Sequence, residues 1–126
     1  MQAKRILVID DEDDIRQVAQ LSLEMTGGWE VLTAGSGFEG LAKAGVEQPD
    51  AILLDVMMPD MDGPATFQKL QDDALTCDIP VILLTAKVQP ADRRKFGDLG
   101  VTGVIAKPFD PMRLASEVAE ALGWEY

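Results

Sequence analysis

Five short apolar runs constrain what this chain can fold into: Ile6 to Ile9, Val31 to Ala34, Ala51 to Leu54, Val81 to Leu84, and Gly103 to Ala106. None alternates apolar with polar residues, as a strand with one wet face would. Near-continuous Ile, Val and Leu in runs this short belong to strands covered on both faces, the condition of a parallel sheet packed between helices. The intervening segments carry the matching helix signals. Ile15, Val18, Ala19 and Ser22 share one face of a helix that closes at Gly27 and Gly28, with Asp13 or Asp14 as its N-cap. Ser36 and Glu39 have capping-box spacing, and Phe38, Leu41, Ala42, Gly45 and Val46 follow as an apolar stripe. Pro64 suits the first turn of a third helix that buries Phe67 and Leu70. A fourth, charge-rich and interrupted by Gly97, spans about Pro90 to Leu99. Asp110-Pro111 opens the last, whose stripe is Leu114, Val118, Ala121 and Leu122.

This βαβαβαβαβα order, with no linker or repeat, predicts a doubly wound α/β sandwich. A chain of 126 residues has room for one core, so 1–126 is read as a single domain. In such sheets ligands bind beyond the carboxyl ends of the strands, where strand order reverses. Composition narrows what can bind there. With 22 acidic and 11 basic residues the formal charge is −11, which disfavours general affinity for nucleic acid or an anionic membrane. The chain contains no histidine, which excludes Ser-His-Asp triads, His-built zinc sites and a phosphohistidine within the chain itself. Cys77 is the single cysteine, so no internal disulfide or thiolate cluster can form. With neither a signal peptide nor a membrane-length apolar run, a cytoplasmic setting is expected.

At the strand ends stand the residues with chemistry. The first strand runs into Asp10-Asp11-Glu12-Asp13-Asp14. Acids at a helix start favourably meet the macrodipole, but five in succession repel one another unless a cation is near, so capping and metal binding are both open readings. The third strand runs into Asp55. If the first and third strands are neighbours, Asp55 stands beside Asp10 and Asp11, and clustered oxygen ligands favour a hard ion, Mg²⁺ or Mn²⁺. Thr85 ends the fourth strand and Lys107 follows the fifth. A carboxylate, a cation site, an ammonium and a hydroxyl at one sheet edge are the parts that phosphoryl transfer needs, because its catalysis is mostly positioning and charge neutralisation.

The segments Ile9-Asp10-Asp11, Leu54-Asp55-Val56-Met57-Met58-Pro59-Asp60-Met61-Asp62-Gly63, Leu84-Thr85-Ala86 and Lys107-Pro108-Phe109, in this order at strand ends, resemble the receiver domains of two-component response regulators. The resemblance covers essentially the whole chain and is closest to stand-alone, chemotaxis-type regulators. It implies a flavodoxin-like fold of five parallel strands in order 2-1-3-4-5 with five helices. It implies that Asp55 accepts a phosphoryl group from a histidine of a partner kinase or phosphotransfer protein. By the same resemblance Asp11, Asp55 and the backbone carbonyl of Met57 bind Mg²⁺, Asp10 assists through water, Lys107 binds a phosphoryl oxygen, and Thr85 supplies the switch hydroxyl. The Lys107-Pro108 peptide is expected to be cis, as it often is in the family. Phosphorylation would then bias an existing equilibrium of the face formed by the fourth helix, fifth strand and fifth helix. A phosphorylation-linked dimer through that face is left open.

Several positions qualify the resemblance. Many receivers carry Tyr or Phe three residues before the lysine, where this chain has Val104, so a swinging aromatic switch is not expected. Met57 and Lys87 occupy positions that tune dephosphorylation in the family. Trp29 and Trp124 are assigned to packing, and Cys77 to a loop without chemistry. The basic run Arg93-Arg94-Lys95 reads as a solvated helix face or as an output contact for an acidic partner. Because the sequence ends at Tyr126, just past the last helix, output is expected to come from another protein and not from a DNA-binding domain. Two other functions compete: an interaction module that works without phosphorylation, and a Mg²⁺-dependent phosphohydrolase using Asp55. The second lacks an acid two residues beyond Asp55, where Met57 stands. The chain is therefore expected to catalyse only its own phosphorylation and dephosphorylation, not to act as an enzyme on other substrates.

Overall fold

Each apolar run becomes a strand: β1 (Arg5–Ile9), β2 (Glu30–Ala34), β3 (Ala51–Asp55), β4 (Val81–Thr85) and β5 (Gly103–Ala106). All pairings are parallel, in the order β2-β1-β3-β4-β5. The structure is a computed structural model and describes residues 4–86 and 89–125. Lys87 and Tyr126 lie outside the described residues.

Five helices cover the sheet: α1 (Asp13–Gly27), α2 (Gly37–Glu47), α3 (Gly63–Asp72), α4 (Pro90–Leu99) and α5 (Leu114–Leu122). Successive strand side chains point to opposite faces and so divide the core in two. Ile6, Val8, Leu53, Ile82, Leu84 and Ile105 pack with Leu23 of α1 and Leu114 and Val118 of α5. Leu7, Ile9, Ile52, Leu54 and Leu83 pack with Ala44, Phe67, Leu70 and Phe96 from the helices opposite. Among the described residues, no helix is long and apolar enough to cross a membrane.

Several helical expectations are corrected. In α1 the N-cap is Glu12, in extended conformation and without a side-chain cap bond, while Asp13 and Asp14 occupy the first turn. Val18 is exposed, and Ala19, Ser22 and Leu23 form the buried face. In α2 Ser36 caps Glu39 N as expected (3.0 Å), yet Glu39 returns its carboxylate to Gly35 N, one residue earlier than a capping box requires. The expected α2 stripe is also rotated: Phe38 and Val46 are 61% and 81% exposed, and Gly37, Gly40 and Ala44 face inward. The reason is proximity. A Cβ at Gly40 would stand 2.4 Å from Ile9 Cδ1, so only small residues fit between α2 and β1.

The Asp110-Pro111 signal opens a turn, not the helix itself. Asp110 Oδ1 accepts from Met112 N at 2.9 Å, and α5 begins at Leu114. Its Leu114 and Val118 are buried, with Ala121 and Leu122 half-buried at the margin. The expectations for α3 and α4 hold: Pro64 lies in the first turn of α3, Phe67 and Leu70 are buried, and α4 spans Pro90 to Leu99. Arg93, Arg94 and Lys95 are exposed on α4, and Cys77 is a free, half-buried thiol in the turn before Ile79. Trp29 and Trp124 pack edge to face, with ring centroids 5.1 Å apart, and take part in the core. Lys107-Pro108 is cis.

Candidate functional site

Register brings the acidic residues together. Ile9 pairs with Leu54, so one residue further along each chain Asp10 and Asp55 lie side by side at the carboxyl edge. Asp55 pairs in turn with Leu84, and Thr85 with Ala106, which sets Thr85 and Lys107 at the same edge. This is the switch point, since β1 pairs with β2 on one side and β3 on the other. Asp10, Asp55 and Thr85 are all buried.

Lys107 ties the edge together. Its Nζ lies 3.2 Å from Asp10 Oδ2, 3.2 Å from Asp55 Oδ1 and 3.4 Å from Glu12 Oε1. Asp10 is held further by Glu12 N, which donates to its Oδ1 at 2.9 Å, and by Arg16, which donates to its carbonyl at 2.7 Å. A backbone bond of 2.9 Å from Lys107 N to Thr85 O anchors the start of the loop after β5. Glu12, Asp55, Met57, Thr85, Lys107 and Pro108 line one cleft of about 350 Å³.

The carboxyls resist ionisation here. Burial, then the neighbouring Asp10 charge, pushes Asp55 up to about 6, although Lys107 and the Met57 backbone N–H act in the opposite direction. Burial also raises Asp10. For Lys107 burial acts to lower the pKa, but the Asp10 and Asp55 charges outweigh it and the net shift is upward. Lys107 thus remains an ammonium among carboxylates.

One oxygen from each of Asp10, Asp11 and Asp55 falls within 4.8 Å of the others. Asp11 Oδ1 and Asp55 Oδ2 are shut off from solvent without a hydrogen-bond partner. Leaving carboxylate oxygens buried and unpaired is costly, and a cation placed among them would offset that cost. An all-oxygen set without His or Cys fits a hard divalent ion such as Mg²⁺.

A profile of the response regulator receiver domain matches residues 6–119. The chain belongs to the response regulator receiver domain family. A receiver is a phosphoacceptor signalling module, not an enzyme in the ordinary sense. This receiver is 40% identical over 119 residues to the alkaline phosphatase synthesis transcriptional regulatory protein PhoP of Bacillus subtilis, covering 94% of this chain and 48% of that protein. It is 41% identical over 118 residues to the DNA-binding dual master transcriptional regulator RpaA of Synechocystis, with the same coverage. The chain therefore spans about half the length of these curated relatives. Its fold matches that of the chemotaxis response regulator CheY4 of Vibrio cholerae with a TM-score of 0.88 and 32% identity, covering 95% of this chain and 99% of that one.

All five expected side chains, Asp10, Asp11, Asp55, Thr85 and Lys107, stand at this edge, and Met57 borders the cleft with its side chain exposed. Two contributors were not singled out from sequence. Glu12 lies inside the acidic run, whose order does not rank it, and Arg16 lies in α1 outside the expected apolar face. The spacing of Asp10 and Arg16 was a usable signal, since a basic residue in the second turn of α1 can reach back to the strand end.

Proposed function

We propose that Asp55 is the phosphoacceptor of this receiver and that its donor is a phosphohistidine on a sensor kinase or histidine phosphotransfer protein. One observation supports this most strongly: the Lys107 ammonium lies between Asp10 and Asp55 while Asp11 Oδ1 and Asp55 Oδ2 have no partner. In the transfer an Asp55 carboxylate oxygen forms a bond to phosphorus as the phosphorus–nitrogen bond of the donor breaks, and the imidazole leaves with the electron pair. Asp11, Asp55 and the Met57 carbonyl are the residues proposed to hold Mg²⁺ or Mn²⁺, with Asp10 acting through water. When bound, the ion supplies charge neutralisation for the phosphoryl oxygens. Lys107 supplies a second, fixed positive charge beside the Asp55 oxygens.

The new charge must be met from within the cleft. Thr85, buried at the end of β4, is the hydroxyl proposed to turn toward it, biasing the positions of α4, β5 and α5. Val104, half-buried against the second core cluster, carries no ring to rotate, so transmission is assigned to Thr85 and the adjoining backbone. The exposed basic run Arg93-Arg94-Lys95 suits an acidic partner that reads this face. The receiver, 1–126, is proposed to signal by protein contact in the cytoplasm, where the free thiol of Cys77 is kept reduced.

Incubation with acetyl phosphate and Mg²⁺, followed by intact-mass measurement, tests the assignment. A single phosphoryl adduct that EDTA and Asp55→Asn each abolish is the expected result. An adduct that survives Asp55→Asn overturns it.

A further inference from the structure

Glu12 stands at the N-cap of α1 but does not cap it; its carboxylate instead reaches Lys107 Nζ at 3.4 Å. An ammonium has three N–H donors, and Lys107 has three carboxylate partners, Asp10, Asp55 and Glu12. The three are not equivalent. Asp10 and Asp55 are buried at 3.2 Å, and Asp10 is pinned by the Glu12 backbone and by Arg16. The Glu12 side chain is 60% exposed, lies on the rim of the cleft and makes the longest of the three contacts. Water can solvate it the moment it lets go, so its release costs little.

We propose that Glu12 holds the position on Lys107 that a phosphoryl oxygen takes on phosphorylation, making it a positioning residue that competes with the incoming group. The inference rests on the reading of Asp55 and Lys107 above. In the unphosphorylated receiver Glu12 completes the ammonium's donors and keeps Lys107 extended along the cleft. As the phosphoryl group arrives, one N–H turns from Glu12 Oε1 to a phosphoryl oxygen, no proton is transferred, and the freed Glu12 carboxylate enters solvent. Glu12 therefore weakens occupancy of the phosphoryl position.

Two effects of Glu12 must be separated: direct occupancy of Lys107 and general repulsion of an anion. Glu12→Gln removes the charge. Glu12→Asp keeps the charge on a side chain one methylene shorter, which no longer reaches Lys107. Beryllium trifluoride, a phosphoryl mimic, is titrated in the presence of Mg²⁺ into the full chain and both variants, and the affinity is read calorimetrically at low and at 0.5 M salt. Thermal melts confirm that each variant is folded.

The expected result is three- to tenfold tighter binding in both variants, persisting at high salt, where exposed charges more than about 4–5 Å apart are screened. Tightening in Glu12→Gln alone that vanishes at high salt overturns the proposal in favour of bulk repulsion. Unchanged affinity in both variants overturns it outright. Wild-type protein that neither binds the mimic nor gains an acetyl-phosphate adduct at Asp55 rejects the underlying reading instead, so the two failures are distinguishable.

Discussion

Lys107 Nζ lies 3.2 Å from Asp55 Oδ1, and Asp55 is nevertheless harder to ionise than a free carboxyl. Burial and the adjacent Asp10 outweigh the ammonium. The edge proposed above to receive a cation and a phosphoryl group is thus under electrostatic tension before either arrives, and its stability should report on both.

Asp55→Asn should stabilise the receiver at pH 7.5. The folded pKa of Asp55, about 6, lies above the ordinary value of 3.8, so its stabilising contribution is full below 3.8 and is lost as pH rises through 6. At pH 7.5 the wild type carries the whole deficit, about 3 kcal/mol, and the Asn variant escapes it. Urea denaturation at pH 7.5 and pH 5 should show a gain that shrinks at the lower pH.

Lys107→Met should destabilise by about 2–4 kcal/mol at pH 7.5, because it leaves Asp10 and Asp55 buried without their cation. Both folded carboxyl pKa values then climb further. Protonation relieves the repulsion, so the deficit should be smaller at pH 5. Paired denaturation curves at the two pH values measure it.

Divalent cations should raise the stability of the wild type. Mg²⁺ at ten times its dissociation constant adds about 1.4 kcal/mol if it binds only the folded state. The shift in melting temperature should disappear in Asp11→Asn and in Asp55→Asn, which each remove an oxygen that lacks a protein partner.

Gly63→Ala should destabilise by about 1–3 kcal/mol and slow phosphorylation by acetyl phosphate. A Cβ at Gly63 would stand 2.6 Å from the Asp55 carbonyl oxygen and 2.8 Å from Val56 Cα, both backbone atoms that cannot turn aside. The loop from β3 to α3 must move, and Asp55 and Met57 move with it. Gly45→Ala, with open space at its Cβ, is the control and should leave the phosphorylation rate unchanged. Denaturation and adduct-formation kinetics compare the two.

What could be foreseen depended on how local its cause was. The apolar runs of β1, β3 and β4 identified buried parallel strands because continuous Ile, Val and Leu leave no wet face. Pro64 marked the start of α3 because its missing N–H suits a first turn. The α2 stripe misled, since Phe38 and Val46 have the right spacing for burial but the wrong size for a helix in contact with Ile9. Asp110-Pro111 misled by a few residues, since an Asp side chain bonds as readily to a turn N–H as to a helix.

Residue order alone determined which chemical groups stand at strand ends, because a strand ends where its apolar run gives way to charge. It also determined that no histidine of this chain can supply the phosphoryl group. Only the tertiary structure decided that Asp10 and Asp55 share Lys107, that Asp11 Oδ1 and Asp55 Oδ2 are left without partners, and that the Glu12 side chain meets the same ammonium without capping α1. These are distances between segments far apart in the chain, set by strand register and helix-to-sheet spacing, and no local pattern encodes them.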